Sequence, residues 1–236
     1  MLRNLVLSAA AAGLAAGLLT AALQHVTTTP IIIEAERYES GQAAPAHDHA
    51  AHSENGAMHT HTGAASSAAW APADGIERTF YSALTTVVMG VGFAMALLGA
   101  MALTGNQVDG RTGLAFGVAG FAAFALAPAL GLPPEMPGSA TAELAGRQGW
   151  WLLAAAGTAG GLAALLLTRG TAWQIAGVAL IALPHILGAP QPESYASAAP
   201  AELAGHFVAA SLATTAVFWA VLGVASGAFY HRLARS

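Results

Sequence analysis

Six nearly uninterrupted apolar stretches set the limits on what this chain can fold into: Leu5–Val26, Phe80–Thr104, Thr112–Leu130, Trp150–Thr168, Ala172–Leu187 and Gly205–Phe229. A helix rises 1.5 Å per residue, so a run of about 22 residues reaches about 33 Å, enough to cross the hydrocarbon of a bilayer. Inside lipid every backbone N–H and C=O must be satisfied within the protein, and segments of this length meet that demand as α-helices. Only 8% of residues are charged, 56% are hydrophobic and the mean hydropathy is +0.58, where a soluble domain carries about 25% charged residues. The expected fold is therefore an all-α polytopic membrane protein, a single membrane domain over 1–236 with six transmembrane helices arranged as three hairpins. The fifth run is the weakest, because it is short and Pro184 interrupts its outer end. The first is expected to be retained rather than cleaved, since its apolar stretch exceeds the roughly 7–15 residues of a signal peptide.

Small residues recur four apart at Gly13 and Gly17, Gly157 and Gly161, and Gly223 and Gly227. That spacing lets helix backbones approach closely in lipid, and packing is the expected role of these glycines. Gly120–Pro133 resembles Gly177–Pro190, and each stretch is followed by a proline-containing outer loop and then by Ala-Glu-Leu-Ala-Gly, at 142–146 and 201–205. The two copies start from the same side of the membrane, as parallel repeats of a hairpin do.

Orientation follows from arginine, because the chain has no lysine. Arg3, Arg111, Arg169, Arg232 and Arg235 fall on one side; Arg37, Arg78 and Arg147 fall on the other. The positive-inside rule makes the first side cytoplasmic, with both termini inside and a long outer, periplasmic loop at 27–79. Asp109 is the one acid on the cytoplasmic side. The outer face is then acidic and rich in histidine, a combination suited to capturing cations.

Within that loop lie His47, His49, His52, His59 and His61. Imidazole is the commonest protein ligand for transition metals. The irregular spacing and the alanine and glycine flanks argue against a structural zinc site of fixed geometry. A multisite collector for borderline ions such as Co²⁺, Ni²⁺, Cu²⁺ or Zn²⁺ fits better; a solvated linker without metal affinity is the plainer alternative. Cysteine is absent, which removes thiolate sites and disulfides.

The acids have two readings. Glu77, Glu143 and Glu202 each stand at the outer start of a returning helix, where a carboxylate caps orphan N–H groups and suits the helix dipole; each is equally placed to meet an incoming cation. Asp74-Gly-Ile-Glu77 resembles a capping box, and Glu143 and Arg147 are four apart and suited to pairing on one face. Glu202 and His206 have the same spacing and are able to share a metal or a hydrogen bond. His185 follows Pro184, where proline frees backbone groups; it is either a third ligand beside Glu202 and His206 or an interfacial, hydrogen-bonded histidine. Gln24 and His25, near the end of the first run, carry the same ambiguity.

No phosphate-cradling glycine loop, His-Glu-x-x-His, Gly-x-Ser-x-Gly or dinucleotide fingerprint is present. The chain is not expected to be an enzyme or to hydrolyse ATP, so uphill transport would draw on a gradient or a partner. No basic patch points to nucleic acid.

Several stretches together resemble the CbtA family of predicted bacterial cobalt transporter subunits, nearly end to end. They are Thr29-Pro30 with Glu34-Ala-Glu36-Arg-Tyr38-Glu39, the histidine-rich loop, Trp70-Ala-Pro72-Ala-Asp74-Gly75-Ile-Glu77-Arg78-Thr79, Gly90-Val-Gly92-Phe93 and Ala119-Gly120-Phe121. Ala127-Pro128 through Gly138, Arg147-Gln148-Gly-Trp150-Trp151 and Leu183-Pro184-His185-Ile-Leu-Gly188-Ala-Pro190 complete the set. The resemblance implies cobalt uptake linked to cobalamin synthesis, in the bacterial inner membrane, with a small single-span partner, CbtB, that carries its own histidines. The family is described with about five spans, one fewer than the apolar runs give here.

The resulting expectation is a divalent-metal uptake subunit whose histidine loop collects Co²⁺, or Ni²⁺ or Zn²⁺, as cargo, with no permanently bound cofactor and with membrane lipid around it. Glu34, Glu36, Glu77, Glu135 and Glu143 are candidates to line the pathway, beside His185, His206 and Glu202. The alternative is a non-transporting receptor or assembly factor that delivers metal to another complex.

Overall fold

The computed structural model describes residues 2–40, 72–73, 75–105, 107–195 and 197–235. Its described residues are helical almost throughout: α1 (Leu2–Val26), α2 (Thr28–Glu39), α3 (Ile76–Leu103), α4 (Gly110–Ala129), α5 (Leu144–Leu167), α6 (Thr171–Leu187) and α7 (Ala201–Arg235). All but α2 and α6 are long and apolar enough to cross a membrane, which makes five candidate spans. The fifth apolar run folds as the 17-residue α6. At about 25 Å it lies at the lower limit for spanning.

The boundaries differ from the apolar runs in an informative way. The expected loop over 27–79 begins with a helix, because α2 continues from α1 after a break at Thr27; Pro30 falls in its first turn, where a missing N–H removes no helical bond. Glu143 caps α5 through Ala145 N and Gly146 N at 2.9 and 2.8 Å and so starts that helix at Leu144, ahead of the apolar run. Asp109 caps α4 by accepting from Thr112 N at 2.8 Å, and this bonding holds its carboxyl below the ordinary value. The α5–α6 connection is only three residues, closed by Gly170 at φ 111°, a conformation that favours glycine.

Glycine brings the backbones together. A Cβ on Gly17 would stand 2.6 Å from Val87 Cα, and one on Gly13 would overlap Val91, so α1 and α3 meet backbone to backbone. In the same way Gly113 faces the carbonyl of Gly223, Gly117 that of Trp219 and Gly227 that of Asp109, which closes α4 on α7. Gly161 and Gly177 do this for α5 and α6. The glycine pairs singled out by their spacing thus all lie in helix crossings.

Of the expected pairs, α1 packs along α3 and α4 meets α5 mainly through its C-terminal part; the third is corrected: α6 packs on α5 and is not in contact with α7, which lies instead against α4 and α1. The core contains Ala9, Ala12 and Ala16 of α1, Ala94, Leu97, Leu98 and Met101 of α3, and Phe218, Trp219 and Leu222 of α7. Phe124 stacks on Trp219 at 5.6 Å and lies 6.2 Å from Trp151, which ties α5 to this core. Asn4 Nδ2 donates to Leu233 O at 2.8 Å, so the first and last helices end together.

At the opposite end, Ala35 of α2 packs with Met136 and Ala199 from the loops that precede α5 and α7, beside Leu203 and Phe207 of α7. Ser139 and Ser197 bridge these loops in antiparallel fashion. Outward-facing Val88, Met89, Leu152, Ile175, Val178 and Ile186 leave the bundle apolar on its surface, as lipid requires.

These crossings predict opposite effects for chemically identical changes. Gly113→Ala and Gly223→Ala place a methyl into a backbone carbonyl and should destabilise by about 1–3 kcal/mol or more. Gly92→Ala and Gly99→Ala, where nothing lies within 4 Å, should be neutral or stabilise by about 0.5–1 kcal/mol through helix propensity. Thermal unfolding of the purified protein in detergent separates the pairs; equal shifts would mean that the crossings are not packed this way.

Candidate metal-handling face

The end of the bundle away from the Asn4–Leu233 contact, called outer after the orientation expected from the arginines, carries the polar chemistry, and helical spacing organises it. Along α1 and α2, Gln24, His25, Thr28, Thr29, Ile32, Ile33 and Glu36 follow one face through the break at Thr27. Along α3, Gly75, Arg78, Thr79, Ser82, Thr85 and Thr86 do the same. The two faces border a cleft of about 780 Å³. One turn beyond its lining residue Ala21, the Gly17–Val87 contact brings the helices together.

The Glu36 carboxylate and the Arg78 guanidinium meet across this space in a two-pronged ion pair, Nη2 to Oε1 at 2.6 Å and Nη1 to Oε2 at 3.1 Å. Several hydroxyls bond back into their own helices: Thr28 to Gln24 O at 3.3 Å, Thr79 to Gly75 O at 3.0 Å and Thr86 to Ser82 O at 2.8 Å. A hydroxyl has one hydrogen and two lone pairs, so a hydroxyl that donates to its own helix keeps acceptor capacity for the cavity. At 3.5 Å, Gln24 Oε1 is a second, longer acceptor for the Thr86 hydroxyl, competing with Ser82 O for its one hydrogen.

A second cavity, of about 480 Å³, lies between the 132–135 segment and α5, lined by Leu132, Pro133, Glu135, Arg147, Gln148 and Trp151 among others. Arg147 pairs there with Glu135. This corrects the expected Glu143–Arg147 pair: Glu143 is occupied with capping, and the two hydrogen bonds from Ala145 and Gly146 lower its pKa from the ordinary value. Glu77 accepts from Ala73 N at 3.2 Å, turning back to the segment ahead of α3 instead of capping the helix, and Glu34 pairs with Arg37 at 3.1 Å. The three outer arginines are thus each paired with a glutamate, and two further glutamates hold backbone N–H groups.

His47, His49, His52, His59 and His61 lie outside the described residues. His185 is half-buried, with its ring edge-on to Trp150 at 5.8 Å, and the Trp150 indole donates to the neighbouring Pro184 carbonyl at 3.0 Å. Glu202 and His206 are exposed on the first turns of α7. Because α6 and α7 do not touch, the helix packing does not bring His185 to that pair, and among the described residues no three His, Asp or Glu side chains form a group able to hold a metal ion. The hydroxyl-lined cleft was missed by sequence reasoning. Its signal was the three-and-four spacing of Thr79, Ser82, Thr85 and Thr86 at the start of an otherwise apolar helix.

The family described as "Probable cobalt transporter subunit (CbtA)" matches residues 2–231. No curated protein and no solved structure matches the chain. With the match running through every helix of a multi-pass membrane protein, the chain belongs to the CbtA family.

Proposed function

We propose that this protein is the membrane subunit of a bacterial inner-membrane uptake system for a divalent transition metal, with Co²⁺ as cargo. The observation that carries this reading is the family match across the whole helical body. The word subunit in the family's description supports a partner, which the resemblance identifies as a small single-span, CbtB-like protein.

Six crossings are the reading taken here. The Asn4–Leu233 hydrogen bond, which joins the ends of the first and last helices, supports an even number, since an odd number would separate those ends. The returning pass is α6, which runs antiparallel to α5, with Gly161 beside Gly177 and Trp150 beside Pro184. Arg3, Arg111, Arg169, Arg232 and Arg235 gather at the end that holds the termini, which supports a cytoplasmic location for both.

The histidine-bearing segment leaves α2 after Ser40 and rejoins the described chain at Pro72, which itself borders the polar cleft. That attachment supports a collector role at the outer mouth. Glu202 and His206 form a second, two-ligand station, with His185 acting separately from it. The arginine-paired Glu34, Glu36 and Glu135, with the backbone-bonded Glu77 and Glu143, shape the field of this face and become ligands only when released.

Uptake of Co²⁺ into vesicles containing the purified protein, with and without the single-span partner, tests the function directly. Accumulation above protein-free vesicles is expected. Binding without accumulation under both conditions would identify a receptor or delivery factor instead.

Replacing all five loop histidines by Ala should raise the Co²⁺ concentration for half-maximal uptake by about tenfold or more, since tethered sites act by raising effective concentration. The maximal rate should change little. Loss of transport at saturating Co²⁺, with normal protein levels, would place the loop in the pathway itself.

His185→Ala and His206→Ala should each lower the uptake rate, and their combination should be close to the product of the two effects, as for sites that share no partner. A double variant no worse than the worse single one would show that they serve one site.

A further inference from the structure

We propose that the cavity between the 132–135 segment and α5 binds the headgroup of a phospholipid that carries a primary ammonium beside its phosphate, a phosphatidylethanolamine. Arg147 and Gln148 hold the phosphate, and Glu135 holds the ammonium. Such a site is independent of the cargo.

Its depth is that of a headgroup. The helix α5 has 24 residues and is about 36 Å long, against a hydrocarbon thickness of about 30 Å. Arg147 stands one turn from its start, with Trp150 and Trp151 next along the helix, as in an interfacial cation beside an aromatic belt. Leu144, Gln148 and Leu152 are four apart on one helix face and all exposed, so this face turns outward with one amide between two leucines. A volume of about 480 Å³ lies within the range of ligand pockets, about 300–1,000 Å³. Its wall is apolar except where Glu135, Arg147 and Gln148 meet it.

The two charged groups touch and are incompletely used. Arg147 Nη2 donates to Glu135 Oε2 in a single-pronged contact, whereas Arg78 grips Glu36 with two prongs. A guanidinium has five N–H donors. Among the described residues Arg147 spends only this one, and its Nε is buried without an acceptor. Glu135 Oε1 and the Gln148 amide likewise join no hydrogen bond among the described residues. The Arg147 and Glu135 side chains are 27% and 28% exposed, so they are held in place and reachable. Backbone donors nearby are taken. Glu143 accepts from Ala145 N and Gly146 N, and its carbonyl accepts from Arg147 N. Leu132 N is spent on Pro128 O, and Pro133 and Pro134 have no N–H. A phosphate is thereby directed to the side chains and not to the helix end.

A guanidinium beside a carboxylate is a fixed dipole, and a headgroup of opposite dipole fits it without separating the pair. The phosphate accepts from the remaining Arg147 N–H groups and the Gln148 amide, with charge-assisted bonds of the stronger kind from the guanidinium. The ammonium donates to Glu135 Oε1. Phosphatidylglycerol brings a phosphate without a cation, and Glu135 opposes its net charge. Phosphatidylcholine brings a cation without N–H donors.

The test uses the full chain in detergent. Binding of phosphatidylethanolamine, phosphatidylglycerol and phosphatidylcholine with identical acyl chains is read by native mass spectrometry. The parental protein should hold phosphatidylethanolamine several-fold more tightly than either of the others. Glu135→Gln should abolish the preference over phosphatidylglycerol, because it removes the group that repels one lipid and takes the ammonium of the other. Arg147→Gln should weaken all three lipids several-fold. Arg37→Gln removes the same charge from the same end of the bundle and should leave the ratios unchanged. Equal affinity for the three lipids in the parental protein overturns the site, and that comparison needs no variant to fold. An unchanged ethanolamine-to-glycerol ratio in Glu135→Gln overturns it too. So does an equal change of ratio in Arg37→Gln, which would mark general surface charge instead of this pair.

Discussion

Backbone contact through glycine is the constraint on which the rest of this structure depends. In lipid there is no hydrophobic gain from bringing two apolar helices together, so association rests on packing and on hydrogen bonds between helices. Gly113, Gly117, Gly223 and Gly227 let α4 and α7 meet at the level of carbonyl oxygens, and Gly13 and Gly17 do the same for α1 and α3. Once α7 is engaged by α4 and α1, its sequence neighbour α6 is left to α5. The bundle therefore divides into a four-helix body and a two-helix wing, joined where Phe124 lies between Trp219 and Trp151. The register of α1 on α3, fixed by the same glycines, places Gln24 opposite Thr86 and so creates the outer cleft.

The acids of the outer face look, in a list of residues, like a broad invitation to metal. The structure commits many of them elsewhere. Glu34, Glu36 and Glu135 meet Arg37, Arg78 and Arg147, and Glu77 and Glu143 hold backbone N–H groups. Among the described residues, Glu202 and His206 are held by no hydrogen bond or ion pair.

The class of fold was legible because a bilayer imposes a simple length rule, and each apolar run did become a helix. The ends were less so. Hydropathy registers the lipid-like part of a helix, whereas α7 continues to Arg235 and α5 starts at its Glu143 cap, both into polar sequence. Pairing α6 with α7 failed because adjacency in sequence carries no information about glycine complementarity in α4. The Glu143–Arg147 pair failed for a related reason: four-residue spacing describes one isolated helix, and Glu135 reaches Arg147 from the preceding loop. Capping at Glu143 was legible, being local chemistry; Glu77 turns back to Ala73 N instead. The cleft was not, since its two walls lie about sixty residues apart in the chain and meet only through the α1–α3 register.

Two prolines show how one short segment organises the outer half of the membrane body. Pro128 has no N–H and would crowd the preceding turn of α4; the helix widens there to a π turn over Ala122–Leu126, in which Ala127 N donates to Ala122 O. Pro184 meets the same problem in α6 differently. It leaves the Leu180 carbonyl without a helical donor, and that oxygen sits over Gly157, where a Cβ would be 2.7 Å away. The consecutive tryptophans of α5 engage both solutions. Trp151 lies against Phe124 of the π turn, and Trp150 donates to Pro184 O while its ring meets His185 and the bare backbone of Gly131. One helical turn earlier, Arg147 ties the same helix to Glu135. The segment from Arg147 to Trp151 therefore joins both proline-marked helices and the loop between α4 and α5. His185 is held there by its ring contact with Trp150, which makes its position a consequence of this joint.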